Sequence, residues 1–231
     1  MVVGLAGVVL GVALLAGCAA TKPSARQSEE RLSQLPPPAR LLAQREATGG
    51  VARVSTEEFD GKTVYRVRYF DDKARQGELQ LTGDGRLLSK HVLYETVPFP
   101  QVPEVVRAAL LARTGGVSPR TAIHEERGDA SSSSEVYKFE VTIGGTEHEY
   151  VIDTTGGLYK QEVVIDPNHL PVAVQAAVEQ RFNHPKLDSA EEIHRGDTVI
   201  YEVTGKASDG KGEAFEVQVM PDGTIHAVKA L

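Results

Sequence analysis

Three stretches of the chain carry the same apolar rhythm. Leu170, Val174, Ala177, Val178 and Phe182 stand at spacings of 4, 3, 1 and 4, which places them on one stripe of an α-helix. Val102, Val106, Ala109 and Leu110 repeat that stripe, and Leu35, Ala39, Leu42 and Ala43 repeat it more weakly. Each stripe opens on an apolar residue followed by proline, at Leu35-Pro36, Val102-Pro103 and Leu170-Pro171, and these prolines lie 67 and 68 residues apart. Proline suits a helix start, where the missing N–H would have no helical partner anyway. Gly49-Gly50, Gly115-Gly116 and Asn183 follow the stripes. These residue types best tolerate the left-handed backbone that ends a helix.

After each stripe the rhythm changes to alternation. Strands are predicted at 51–56, 120–124 and 187–193, and then at 63–69, 135–141 and 199–203, the second set centred on Tyr65, Tyr137 and Tyr201. Further strands are predicted at 78–81, 148–152 and 213–219, and closing strands at 87–93, 158–165 and 225–228. Asp84-Gly85, Gly156-Gly157 and Asp222-Gly223 mark tight turns before the closing strands. Alternation predicts one sheet face in a core and the other in water, and the tyrosine face is the better core face. On that reading Arg66 and Arg68 belong to a solvated surface, and the face away from each helix is free to dock a partner.

The expected fold class is therefore α+β, with three tandem modules at residues 34–97, 98–166 and 167–231. Each is one helix packed on an antiparallel sheet of about four strands. The second copy carries Gly128 to Ser134, read as a lengthened exposed loop, and the third carries a flexible hairpin tip at 208–212. Asp166-Pro167-Asn168-His169 bridges two copies and reads as a capping or linker segment.

The N-terminus follows a different pattern. Residues 2–17, VVGLAGVVLGVALLAG, carry no charge and end at Cys18, the only cysteine. The run is short for a spanning helix and fits the apolar core of a secretory signal at 1–17, although no positive residue precedes it. Leu15-Ala16-Gly17-Cys18 resembles the lipobox of bacterial lipoproteins. That resemblance implies acylation of Cys18, cleavage before it and attachment to a membrane by lipid. Ala19 in place of an aspartate resembles proteins sorted to the outer membrane, facing the periplasm. Residues 18–33 are polar and small and read as the lipidated cysteine and a flexible tether.

Composition narrows the function classes. A net charge of -7, with basic residues interspersed among acids, argues against nucleic acid as a partner. The absence of tryptophan weakens a stacking platform for bases or sugars. Histidines at 91, 124, 148, 169, 184, 194 and 226 form no HExxH and are spread over all three copies. No P-loop, GxSxG or GxGxxG is present, and Ser131 to Ser134 has no evident base. Asp209 to Glu213 has too few ligands for a calcium loop. The sequence assigns no catalytic, cofactor-binding or metal residue, and its one candidate site is the lipidation site Cys18.

The proline-led helix, the tyrosine-centred strand and a turn before a last strand, Asp-Gly in the first and third copies and Gly-Gly in the second, recur in this order over residues 34–231. The pattern resembles the PepSY-like family, whose fold is described as resembling that of the β-lactamase-inhibitor protein. The resemblance implies a secreted, non-enzymatic protein that binds or inhibits a protein or peptide partner. It carries over no inhibitory residue, because the inhibitors it resembles brace their loops with disulfides and this chain has a single cysteine. Two other functions compete with partner binding. One is a passive structural lipoprotein of the envelope, and the other is a hydrolase or metal-dependent enzyme with a site between modules.

Overall fold

The computed structural model describes residues 22–208 and 213–230. The signal segment, Cys18 and most of the hairpin tip at 209–212 lie outside the described residues. The chain divides into two compact units. One holds the described residues up to Thr56 with Thr63–Glu95 and Glu125–Glu135, and the other holds Glu57–Lys62, Thr96–His124 and the described residues from Val136 onward.

The elements form close to where the pattern places them. Helix α1 spans Ala25–Leu32 and α2 spans Pro37–Glu46. Strands β1 (Gly50–Phe59), β2 (Lys62–Phe70), β3 (Gln76–Thr82) and β4 (Leu87–Pro98) follow. Helix α3 (Glu104–Thr114) precedes β5 (Thr121–Gly128), β6 (Ser133–Ile143), β7 (Thr146–Asp153) and β8 (Leu158–Ile165). Helix α4 (Val172–Phe182) precedes β9 (Lys186–Arg195), β10 (Thr198–Lys206), β11 (Ala214–Val219) and β12 (Ile225–Ala230). Pro36, Pro103 and Pro171 are the N-cap residues of α2, α3 and α4. Gly115 and Asn183 take the left-handed conformation that ends α3 and α4.

The expectation of three separate sheets is wrong. The strands form one continuous antiparallel ladder, in the order β1-β12-β11-β10-β9-β8-β7-β6-β5-β4-β3-β2, which closes as a twelve-stranded barrel. At one seam, Glu58 pairs with Val228 and Phe59 with Ala227. At another, the last strand of one copy pairs with the first of the next, as Glu162 with Ile193 and Val163 with Glu192. A four-stranded sheet would leave two open edges, which invite pairing with other chains. Closure removes them.

The tyrosine face packs under the helices. In the first unit Val67, Tyr69, Leu79, Leu81 and Val92 meet Leu35, Ala39 and Ala43. In the second unit Phe139, Val141, Tyr150 and Ile152 pack with Val102, Val106 and Leu110. A further cluster there joins Val203, Phe215, Val217 and Val219 to Leu170, Val174 and Val178. The turns before the closing strands also touch the helix starts. A Cβ built on Gly85 would meet the Pro38 backbone at 2.8 Å, and one on Gly223 would meet the Ala173 carbonyl oxygen at 2.8 Å.

The opposite sheet face is not in water, which corrects the expected docking face. Arg66, Gln80, Ser89, His91, Glu125 and Arg127 are buried on it in the first unit, as are Lys138, Lys160, Glu162, Glu202, Glu216 and Gln218 in the second. The segment read as a flexible tether contains α1, whose N-cap Ser24 and Gln27 form a reciprocal capping box. The expected long loop at Gly128 to Ser134 is a tight hairpin turn. The Asp129 carboxylate accepts hydrogen bonds from the Ser131 and Ser132 backbone N–H groups at 2.7 and 3.0 Å.

Candidate functional site: buried polar clusters of the two units

Chemistry-bearing side chains gather on the sheet face turned away from the helices. Strand register places them there, because a side chain two residues along a strand returns to the same face. In the first unit Arg68 stands opposite Glu78, and Glu78 in turn opposite His91. The Glu78 carboxylate receives Arg66 Nη1 at 3.1 Å and Arg68 Nε at 3.0 Å. The Ser89 hydroxyl donates to Gln80 Oε1 at 2.7 Å. Glu125 holds Arg127 Nε at 2.5 Å on one oxygen and His91 Nε2 on the other. Burial works to raise the Glu125 carboxyl, but Arg127 and His91 outweigh it and hold it down at about 2.

A second polar chain in the same unit lies toward α2. Lys90 Nζ sits between Glu46 at 3.2 Å and Glu126 at 3.5 Å, and the Tyr94 hydroxyl donates to Glu126 at 2.7 Å. The Arg75 guanidinium covers the Tyr94 ring at 4.5 Å and binds Asp71 at 2.6 Å. Burial, then the Glu126 bond, pushes the Tyr94 hydroxyl up to about 12.

In the second unit Lys160 Nζ lies 2.7 Å from Glu149 and 2.5 Å from Glu162, and Lys138 Nζ lies 3.1 Å from both Glu140 and Glu149. Lys229 reaches Glu216 at 3.0 Å, and Gln218 donates to Glu202 at 2.8 Å. Carboxyl groups outnumber lysines here: Glu149, Glu162, Glu191, Glu202 and Glu216 share the region with Lys138, Lys160 and Lys229. Glu191 and Glu202 stand directly opposite one another on β9 and β10. Like charges so placed repel. Burial, then Glu162 and Glu149, pushes Glu191 up to about 7. Burial, then Glu216, raises Glu202 as well.

The cations and carboxylates of these clusters pair with one another, while Glu216 Oε1 and Gln218 Oε1 are buried without a hydrogen-bond partner among the described residues. Each buried cation named above is matched to a carboxylate, the arrangement that offsets the cost of removing charge from water. Among the described residues no three His, Cys, Asp or Glu side chains are placed to hold a metal ion. The histidines do not converge. His124 stacks on Tyr137 at 4.7 Å, His194 bonds to Glu192 at 2.5 Å and His226 to Asp60 at 2.9 Å. Asp166 caps the short 3-10 turn before α4, accepting from the Asn168 N–H at 2.9 Å. Among the described residues no helix is long and apolar enough to cross a membrane. Cys18 lies outside the described residues. Sequence reasoning missed the buried ion pairs, because a charged residue alternating with an apolar one reads the same whether it faces solvent or a polar interior. It also missed α1, for which Ser24-Ala25-Arg26-Gln27 was a usable signal.

No known family matches the sequence, and no curated protein does. Among solved structures, the chain is similar to a DUF2874 family protein from Bacteroides uniformis, with 14% identity and a TM-score of 0.42 over 55% of this chain and 88% of that one. It is similar to a putative periplasmic protein from Bacteroides eggerthii, with 11% identity and a TM-score of 0.42 over 56% of this chain and 88% of that one. It is also similar to a BLIP-like protein from Bacteroides fragilis, with 15% identity and a TM-score of 0.40 over 56% of this chain and 86% of that one.

Proposed function

We propose that this chain is a non-enzymatic lipoprotein of the cell envelope, anchored through acylated Cys18, that binds a protein or peptide partner. The observation that carries this reading is the direction of its chemistry. Ionisable side chains of the kind that build active sites, among them Arg127, Glu125, Lys160 and Glu162, are turned inward and paired. Turns and outer helix surfaces are left to meet a partner, and large apolar residues stand out on the helices. Val172 on α4 is 83% exposed and Leu41 on α2 is 70% exposed. A periplasmic location, on the outer membrane in a diderm cell, fits the signal segment and Ala19 after the cysteine.

Capture from the native envelope with acylated protein tests the reading. The expected result is one saturable protein partner whose recovery falls at least tenfold with Val172→Asp or Leu41→Asp, both variants keeping the wild-type unfolding midpoint. Retention of a partner by every surface variant, or no saturable partner at all, would overturn partner binding. A free thiol on Cys18 in the mature protein would overturn the anchor.

A further inference from the structure

We infer that α1 is a clip that holds one end of the first unit against the lipid surface. The inference rests on the acylation of Cys18 proposed above. Four Cα-to-Cα steps separate Cys18 from Lys22, so that stretch spans at most about 15 Å in any conformation. The next residues do not continue as a loose tether. Pro23 packs on Gly50, at 3.1 Å from where a Cβ would stand. Ser24 and Gln27 cap the N-terminus of α1 reciprocally. The Ser28 hydroxyl accepts the Val51 N–H at 2.9 Å, and Arg31 Nη1 donates to the Val51 carbonyl oxygen at 2.9 Å. Leu32 is buried in the same core cluster as Leu35, Ala39 and Ala43. The helix therefore fills both backbone hydrogen bonds of Val51 near the start of β1 and fixes the chain there.

The consequence is geometric. Gly49, one residue before β1, donates its N–H to the Phe70 carbonyl oxygen at the end of β2, so the turn from Asp71 to Arg75 lies at the same end of the unit as Pro23. That end is tied to the bilayer by a leash of at most about 15 Å. With α1 undocked, the residues from Cys18 to Leu35 would form a leash of up to about 60 Å. A docked α1 thus converts a general tether into a defined membrane-facing surface built from Lys22, Ser24 and the Asp71–Arg75 turn.

The test is energy transfer from a single label to a headgroup acceptor, on acylated full chain in phosphatidylethanolamine and phosphatidylglycerol vesicles. The labels are placed by Lys73→Cys in that turn and by Asp84→Cys beyond the other end of β3, about 20 Å away along the strand. Mass spectrometry first reads acylation of Cys18. The expected result is transfer from position 73 at least about twofold above that from position 84, given a separation of that size. Ser28→Ala with Arg31→Ala should erase the difference, as should ten Gly-Ser residues inserted between positions 21 and 22, which leave α1 untouched. Equal transfer from both positions in acylated protein, or a difference that survives the insertion, overturns the clip while leaving the anchor standing. An unacylated Cys18 overturns both.

Discussion

Arg127 and Lys160 are each 1% exposed, and each lies within ion-pair distance of a carboxylate. A buried pair of this kind is weak evidence for stability, because desolvation offsets most of the attraction, but removing one member is costly. Glu125 is the sharper case, since a single carboxylate serves both Arg127 and the His91 ring. Glu125→Ala is expected to lower the unfolding free energy by about 3 kcal/mol, read as a fall in the denaturant midpoint. The control is Arg26→Ala, whose pair with Glu30 lies at the surface of α1 and should leave the midpoint unchanged. Neither Arg127 nor Lys160 announces itself in the sequence. A lysine between Tyr159 and Gln161 looks like any solvated strand residue, and only the closing of the ladder turns it inward.

The elements themselves were far more legible. Pro at the helix start, Gly or Asn after the helix and Asp-Gly before the last strand each act through local backbone geometry, which needs no knowledge of the neighbours. Gly85 and Gly223 show why the turns were readable. Both have positive φ, at +83 and +87, and both bring the turn so close to a helix start that a Cβ would strike backbone. Their N–H groups close equivalent turns on Thr82 and Met220 at 2.9 Å. Gly223→Ala should therefore combine left-handed strain with a clash and cost about 2 kcal/mol or more. Gly144 has similar φ, at +61, but nothing within 4 Å of its Cβ position. Gly144→Ala should cost only about 1 kcal/mol. Thermal or denaturant unfolding of the two variants separates strain from contact, and equal losses would mean that the approach to Ala173 is unimportant. α1 was less legible, because Leu32 alone supplies its buried face and its neighbours are polar.

At the scale of the molecule, sequence reading failed on one physical point. Alternation with period two fixes which residues share a face but not what that face meets. A strand such as β10, with Tyr201 and Val203 on one side and Ile200 and Glu202 on the other, fits a solvated sheet as well as a closed one. The polar face has a consequence that pH can expose, because the β9–β10 register sets Glu191 opposite Glu202, and Glu149, Glu162, Glu216, Lys138, Lys160 and Lys229 gather on the same face. Glu191, raised from 4.5 to about 7, keeps its proton in the folded state after the unfolded chain has lost it. Its contribution is then least unfavourable below pH 4.5 and worsens as pH rises to about 7, by roughly 3 kcal/mol at most. Glu125 has the opposite sign. Its carboxyl is held at about 2, so the stability it provides is present above pH 4.5 and is lost as pH falls toward 2. The two units should therefore respond to pH in opposite directions. Amide exchange, corrected for its intrinsic pH dependence, should show β9, β10 and β11 losing protection between pH 5 and 8. The strands around Glu125 should lose it only below pH 4. Glu191→Gln should flatten the first trend and leave the second alone, whereas an unchanged profile would mean that burying Glu191 beside Glu162 and Glu149 carries no net penalty.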